Sequence, residues 1–150
     1  MKKIISLTLA LMLSLTLILC SCGEDETPGS TGSSAETPAT PWNGAIYKEN
    51  ATIGQGSKTF SLVVSAYDKS ITLTVKTDEA ILGTALTKLN VIEGEQGPYG
   101  LYMKKVNGII ADFDVDETYW ALYINGEYAL TGIDSTEIVS GATYKLSREK

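Results

Sequence analysis

An acidic run near residue 115 is the first group of side chains with the chemistry for binding a metal ion. Asp112, Asp114, Asp116 and Glu117 lie close together in the chain, and carboxylate oxygens are ligands that Ca²⁺ prefers. An EF-hand loop that began at Asp112 would need glycine at its sixth position and glutamate at its twelfth, where this chain has Glu117 and Tyr123. The run is therefore predicted to be a solvated acidic turn, with calcium binding in another geometry as the alternative.

The segment that ends at Cys22 has the chemistry of a lipid attachment site. Two lysines are followed by an apolar stretch of 16 residues, which is shorter than the roughly 20 residues that span a bilayer. Leu19 and Ser21 precede Cys22 as in the lipoprotein signal peptide, which this segment resembles. The resemblance implies cleavage before Cys22 and acylation of its sulfur and amino group. Incorporation of labelled palmitate would detect this acylation. We expect residues 1–21 to be a signal peptide and the mature protein to be extracytoplasmic, lipid-anchored to the bacterial cell membrane.

The mature chain is acidic and contains no histidine. Removal of residues 1–21 takes away two lysines and no acid, so 12 basic and 18 acidic residues become 10 and 18, a net charge of −8. This chain lacks the basic stripe that nucleic-acid binding requires. It also lacks the usual general base and the commonest metal ligand. We expect a protein that is not an enzyme, binds no nucleic acid and has no metal or resident cofactor. Cys20 leaves with the signal peptide, so no internal disulfide can form.

Residues 22–57 consist of the lipidated cysteine and a predicted flexible linker. This stretch is rich in Gly, Ser, Thr and Pro, and it has too few large apolar residues to offset the entropy cost of ordering. Docking of Trp42, Ile46 and Tyr47 on the domain is the alternative to a mobile segment. Residues 58–150 are then expected to form a single domain.

Period-two alternation predicts two strands at the start of this domain. Apolar and polar residues alternate over 60–65 and over 71–76, and residues 67–70 have turn chemistry, which together indicate a hairpin. A helix follows, for which Asp78 is the predicted N-cap and Asn90 the terminator. The apolar stripe of that helix consists of Ile81, Leu82, Ala85, Leu86 and Leu89.

The second half of the domain is predicted to be a series of short strands. Asn107-Gly108 and Asn125-Gly126 are the strongest short hairpin signals. The predicted segments are a loop at 94–100 and strands at 101–106, 109–111, 119–124, 127–130 and 142–146. The fold class is therefore α+β, a small sheet of hairpins with one covering helix.

Aromatic residues in this half are the candidate ligand contacts. Alternation places Tyr119 and Tyr123 on one side of their strand, where they form a predicted aromatic surface with Tyr99 and Tyr102. Trp120 points to the other side and is expected in the core, although it is also counted among the candidate ligand contacts. The alternative is that these tyrosines simply cover the sheet.

Several motifs, taken in their order and spacing, resemble the transcobalamin-like C-terminal domain family over residues 58–150. The motifs are Ile81 to Leu86, Gly97-Pro98-Tyr99-Gly100, Val106-Asn107-Gly108-Ile109, Ala111-Asp112, Tyr119-Trp120 and Tyr123 to Glu127. The resemblance implies a β-grasp-like fold, found in bacterial surface proteins and in vitamin B12 carriers. In those carriers a corrinoid lies between this domain and a helical barrel. This sequence shows no barrel and no histidine that could ligate cobalt.

The expected function is that of a lipid-anchored cell-surface protein whose single domain binds a ligand or a partner. A corrinoid such as cobalamin is the ligand that the resemblance implies. The alternative is an adhesion or protein–protein interaction module of the cell envelope with no small-molecule ligand.

Overall fold

The computed structural model describes residues 41–150, which form two β-sheets, one main helix and several short helical turns. The strands are β1 Ala51–Gly54, β2 Lys58–Ala66, β3 Lys69–Thr77, β4 Ile92–Gly97, β5 Gly100–Val106, β6 Ile109–Ile110, β7 Tyr119–Ile124, β8 Glu127–Tyr128 and β9 Thr143–Glu149. The helices are α1 Leu82–Lys88 and the four-residue α2 Phe113–Asp116, with 3₁₀ turns at Pro41–Gly44 and Ile133–Ser135.

The larger sheet has six strands in the order β1-β3-β2-β9-β7-β8. Strands β2 and β3 form the predicted antiparallel hairpin, in which Leu62 is opposite Leu73. Strand β9 runs parallel to β2 and antiparallel to β7. Strands β4, β5 and β6 form a second, antiparallel sheet. The predicted α+β class, with a sheet and one main helix, is confirmed.

The core lies on one face of the six-stranded sheet. Leu62, Leu73 and Leu146 on that face are fully buried and share one apolar cluster with Leu82 and Leu86 of α1. The opposite face carries partly exposed hydroxyl side chains, because period two sends every second residue of these strands away from the core. These hydroxyl residues include Ser61, Ser65, Thr72 and Thr74. The alternation that predicted the strands therefore also separates the buried face from the solvated face.

The start of α1 differs from the prediction that Asp78 caps it. Ile81 occupies the N-cap position and makes no side-chain cap hydrogen bond. The Asp78 carboxylate instead accepts two hydrogen bonds from Ser57, from its backbone N and its Oγ, both at 2.8 Å. Asn90 follows the helix with a positive φ of 55°, as expected for the residue that ends a helix.

The predicted loop at 94–100 is wrong, because β4 extends to Gly97 and pairs with β5. A register shift between Glu93 and Gly94 accommodates a bulge in this pair. Four successive residues of β4, 93–96, are exposed. The strand is stabilised by backbone pairing at the surface, so it carries no apolar alternation that sequence analysis could detect.

Both Asn-Gly turns are confirmed. Asn107 and Gly108 have φ values of 52° and 79°, and Asn125 and Gly126 have values of 49° and 91°, the left-handed pair that a two-residue hairpin turn requires. The strands on either side differ from the predicted ones mainly at their ends. In particular, β8 is only two residues long and β9 continues to Glu149.

The ordered domain begins before residue 58, which corrects the linker prediction for residues 41–57. Trp42 is 7% exposed and donates from Nε1 to the carbonyl of Ala66 at 3.0 Å. Strand β1 pairs in parallel with β3, and Ile53 joins the core. These contacts join the segment to residues that are distant in the chain, and local composition does not predict such contacts. The signal peptide, Cys22 and the linker up to residue 40 lie outside the described residues.

Candidate ligand-binding groove

Three tyrosines and a tryptophan line a groove of about 170 Å³ between the two sheets. Tyr102 comes from β5, Tyr119 and Trp120 from the start of β7, and Tyr128 from β8. We call this the tyrosine groove. Its remaining lining residues include Met103, Leu122, Ala129, Thr131, Gly132 and Ile133.

The groove exists because the first half of β7 has a free edge. Strand β9 pairs with one edge of β7 along its whole length, whereas β8 pairs with the other edge only at Tyr123 and Ile124. One further bond joins the backbone N of Ala129 to the carbonyl of Leu122 at 2.9 Å. No strand among residues 41–150 pairs with residues 119–121 on that edge. Side chains of β5 and β7 therefore meet at this edge, although no continuous ladder of backbone hydrogen bonds joins the two strands.

The residues of the predicted aromatic surface do not all lie in one site. Tyr102, Tyr119 and Trp120 line the groove together. Tyr99 lies at the tip of the β4–β5 hairpin, 99% exposed, in a neighbouring hollow that it shares with Tyr102. Tyr123 lies beyond the groove, although its ring meets that of Tyr128 edge to face at 5.5 Å.

Tyr128 is the groove residue that sequence analysis missed. It is 55% exposed and stands directly opposite Tyr123 across the β7–β8 hairpin. The Asn125-Gly126 turn sets this register, because in a two-residue hairpin the residues that flank the turn at equal distance face each other. That signal was present in the sequence and could have identified Tyr128.

Trp120 is buried as predicted but has an unsatisfied donor. Its side chain belongs to the core cluster and the residue is 6% exposed. Its indole Nε1 has no hydrogen-bond partner within the described chain. A buried donor left unpaired costs about 1–3 kcal/mol, so a group that accepts a hydrogen bond from it would be stabilising.

Asp134 holds the second unsatisfied polar atom of the described residues. Its Oδ2 accepts a hydrogen bond from the backbone N of Leu101 at 3.0 Å, whereas its Oδ1 is buried and has no partner. Gly132 lines the groove. If this residue had a side chain, its Cβ would lie 2.9 Å from Asp134 Oδ1. A carboxylate oxygen with unused acceptor capacity therefore lies immediately behind the groove wall.

The tyrosine hydroxyls of β7 are held in their neutral form. Burial is the main cause that raises the pKa of Tyr119, and Glu149 adds to it. The pKa of Tyr123 is raised chiefly by its hydrogen bond to Glu149 Oε1, at 2.7 Å. The Lys104 ammonium lies 5.1 Å from the ring centre of Tyr102. At neutral pH this surface therefore presents uncharged hydroxyls and aromatic faces, with a cation at its border.

Asp112 and Asp116 of the acidic run form hydrogen bonds and ion pairs within the domain. The Asp112 side chain caps α2 by accepting from the backbone N of Asp114 at 3.1 Å. Lys104 lies 3.1 Å from the same Asp112 oxygen, and this hydrogen bond raises the pKa of Lys104. Asp116 bonds to Arg148 and Thr118. Residues 41–150 contain no cluster of three or more His, Cys, Asp or Glu side chains arranged to hold a metal ion.

Residues 79–143 match the family described as "Domain of unknown function (DUF4430)". The match supports the transcobalamin-like resemblance seen in the sequence, over a shorter span than 58–150. No curated protein sequence matches the chain.

The chain is similar to solved structures, two of which are a bacterial protein and a haptocorrin. The crystal structure of a "putative metal binding protein" from Ruminococcus gnavus ATCC 29149 is 28% identical, with a TM-score of 0.59, over 63% of this chain and 98% of that one. Haptocorrin in complex with Cbi is 20% identical, with a TM-score of 0.48, over 65% of this chain and 26% of that one. The chain therefore spans about a quarter of the haptocorrin chain. No helix among residues 41–150 is long and apolar enough to cross a membrane.

Proposed function

We propose that the protein is an extracytoplasmic lipoprotein, anchored through Cys22, whose domain binds a ligand at the tyrosine groove without chemical transformation. The anchor is inferred from the apolar leader and from Leu19 and Ser21 before Cys22. The non-enzymatic role rests on the absence of histidine from the whole sequence. It rests also on the groove chemistry, which consists of neutral hydroxyls and aromatic rings with no paired acid and base.

The observation that carries the proposal is the unpaired indole N–H of Trp120, which lines the groove, together with the unpaired oxygen of Asp134 behind the groove wall. A ligand carboxamide or hydroxyl could accept a hydrogen bond from the indole, and a second donor group could bond to the Asp134 oxygen. Tyr102, Tyr119 and Tyr128 would supply apolar contact area around that group. Because Nε1 has no contact with solvent here, binding requires a small opening of the groove.

A corrinoid is the ligand that we propose first. Its macrocycle carries carboxamide side chains, which match the donor and acceptor beside the groove. The transcobalamin-like domain supports this choice. A groove of about 170 Å³ is smaller than the 300–1,000 Å³ of sites that enclose a drug-sized ligand. The domain would therefore hold one edge of the corrinoid, and a second protein would cover the remainder.

Calorimetry with cobalamin, together with its visible absorption spectrum, tests this proposal on the mature chain and a Trp120→Phe variant. The variant keeps an aromatic ring but loses the N–H, so we expect binding to weaken about 3- to 10-fold. Tyr123→Phe is the matched control, because Tyr123 lies on the same strand outside the groove, and its affinity should be unchanged. The absence of heat and of a spectral shift at high micromolar cobalamin would rule out a corrinoid.

A protein partner of the cell envelope is the second candidate, favoured by exposed apolar side chains near the groove. Tyr99 is 99% exposed and Leu130 is 98% exposed, and rigid aromatic side chains are common anchors of interfaces. Joint substitution of Tyr99, Tyr102, Tyr119 and Tyr123 should abolish capture of such a partner from an envelope extract while the fold is retained. Capture that survives the substitution would refute this alternative.

A further inference from the structure

A second and larger groove, of about 500 Å³, lies where the described chain begins. We call it the Trp42 groove. It is lined by Pro41, Trp42, Asn43, Lys48, Tyr67, Asp68 and Lys69. Its wall combines two aromatic rings and a proline with two lysines. Four of its lining residues belong to the segment that sequence analysis assigned to a linker, and three lie at the β2–β3 turn.

Trp42 and Lys69 give this groove a fixed geometry. The Trp42 indole is anchored by its hydrogen bond to the Ala66 carbonyl. The Lys69 Nζ lies 4.8 Å from the centre of the Trp42 ring and donates to the Lys48 carbonyl at 2.8 Å. The ammonium is thus held over an aromatic face at the groove wall, where a cation–π contact stabilises it.

The groove is locally basic although the described domain is acidic. Neither Lys48 nor Lys69 forms an ion pair within residues 41–150. The Arg148 guanidinium, which pairs with Asp116, lies 4.5 Å from the centre of the Tyr67 ring. Asp68 is the single acidic side chain that lines the groove. The groove therefore favours an anionic occupant that also has apolar surface.

The position of the groove in the chain points to the membrane. Pro41 lines it, and Pro41 stands 19 residues after Cys22. A chain of that length spans at most about 70 Å. Tryptophan, tyrosine and lysine are also the residues that favour the boundary between headgroups and acyl chains.

We propose that the Trp42 groove binds the phosphate-bearing headgroups of anionic phospholipids in the membrane that carries the anchor. In this arrangement the ammoniums of Lys48 and Lys69 contact the phosphate, and Tyr67 and Pro41 contact the glycerol region. The inference rests on the proposed lipid anchor at Cys22. Its consequence is that the domain is oriented on the bilayer, with the end of the β2–β3 hairpin facing the lipid.

Amine-reactive labelling of the lipidated protein tests the inference. The protein is reconstituted in vesicles of phosphatidylcholine alone or with one third phosphatidylglycerol, and the labelling rate of each lysine is read by mass spectrometry. We expect phosphatidylglycerol to slow labelling of Lys48 and Lys69 about fivefold, as about 1 kcal/mol per lysine at an anionic surface implies. Lys76 and Lys88 are internal controls, exposed and outside the groove, and their rates should stay constant.

Three outcomes would overturn the inference. The first is that all four lysines respond equally, which indicates general attraction rather than a docked groove. The second is that none responds. The third is that soluble glycerol phosphate protects Lys48 and Lys69 without vesicles, which indicates a site for a free phosphate ester.

A protein that does not remain with vesicles of either composition instead contradicts the anchor, so the two failures are distinguishable. A Lys48→Gln/Lys69→Gln variant should lose the response to phosphatidylglycerol.

Discussion

Asn107 connects a hairpin turn to a segment 60 residues earlier in the chain. Its backbone adopts the left-handed conformation of the turn, with a φ of 52°. Its fully buried side chain accepts from the backbone N of Tyr47 and donates to the carbonyl of the same residue, both at 2.8 Å. Glycine could adopt this backbone conformation, but it could not make these two bonds.

Asn107→Gly should therefore destabilise the protein by about 1–3 kcal/mol, because it leaves partly buried backbone groups of Tyr47 unpaired. Asn125→Gly is the matched control in the other Asn-Gly turn. The Asn125 side chain is exposed and accepts one bond from Thr143 at 2.9 Å, so its loss should cost less than about 1 kcal/mol. Urea unfolding measures both variants, and equal losses would contradict this role of Asn107.

The bond between Asp78 and Ser57 makes stability depend on pH. Hydrogen bonds from the Ser57 backbone and hydroxyl hold the pKa of Asp78 below its ordinary value of 3.8. A carboxyl whose pKa is lowered in the folded state stabilises that state above the unfolded pKa, and it loses this contribution as the pH falls through the folded pKa.

Asp78→Asn should thus be less stable than the natural protein at pH 7, and the difference should shrink as the pH falls below the ordinary carboxyl pKa and through the lowered pKa of the folded state. The free energy of unfolding in urea, measured at several pH values, checks this expectation. A difference between the two proteins that stays constant from pH 7 to pH 3 would show that the carboxylate charge is not involved.

At the scale of elements, the 3₁₀ turn at Pro41–Gly44 completes the core of the domain. Trp42 and Ala45 are buried in the same cluster as the residues of β2 and β3. Ile46 also bonds to the Asn107 carbonyl through its backbone N at 3.0 Å. A domain that started at residue 58 would lose all these contacts together with β1.

Trp42→Ala in the mature chain should cost about 3–5 kcal/mol, as expected for removal of a large buried aromatic side chain. Ile46→Ala is the control within the same segment, because Ile46 is 52% exposed, and it should change stability by less than about 0.5 kcal/mol. Thermal and urea unfolding compare the two. If both variants were as stable as the natural protein, this segment would not be part of the folded domain.

At the scale of the whole molecule, the proposed anchor would decide where an acidic domain operates. The proposed mature chain has a net charge of −8, so an anionic bilayer would repel it as a whole. Acyl chains at Cys22 would overcome this repulsion, because each buried CH₂ contributes about 0.8 kcal/mol. In the proposed arrangement, the Trp42 groove would then determine which side of the domain faces the lipid.

Labelled palmitate should enter the natural protein and should not enter a Cys22→Ser variant. Cys20→Ser is the matched control, because Cys20 lies in the predicted signal peptide, and it should incorporate label normally. Fractionation should place the acylated protein with membranes. Equal incorporation of palmitate by both variants would show that Cys22 is not the acylated residue.

Several features of this protein follow from its sequence alone because they are local. The β2–β3 hairpin depends on alternation along two adjacent segments, and the Asn-Gly turns depend on two residues that tolerate positive φ. The buried side of β7, including Trp120 and Leu122, follows from the same alternation. These patterns also sufficed to identify the fold class and the family resemblance.

Only the tertiary structure decided how distant segments combine. It placed Trp42 in the core, directed Asp78 toward Ser57 and paired β4 with β5. It also brought Tyr102 and Tyr128 to the free edge of β7, which formed the tyrosine groove. The physical reason is that each of these arrangements depends on contacts between residues far apart in the chain. Composition and periodicity indicate which secondary structure a segment can form, whereas packing of the whole domain decides which other segment it contacts.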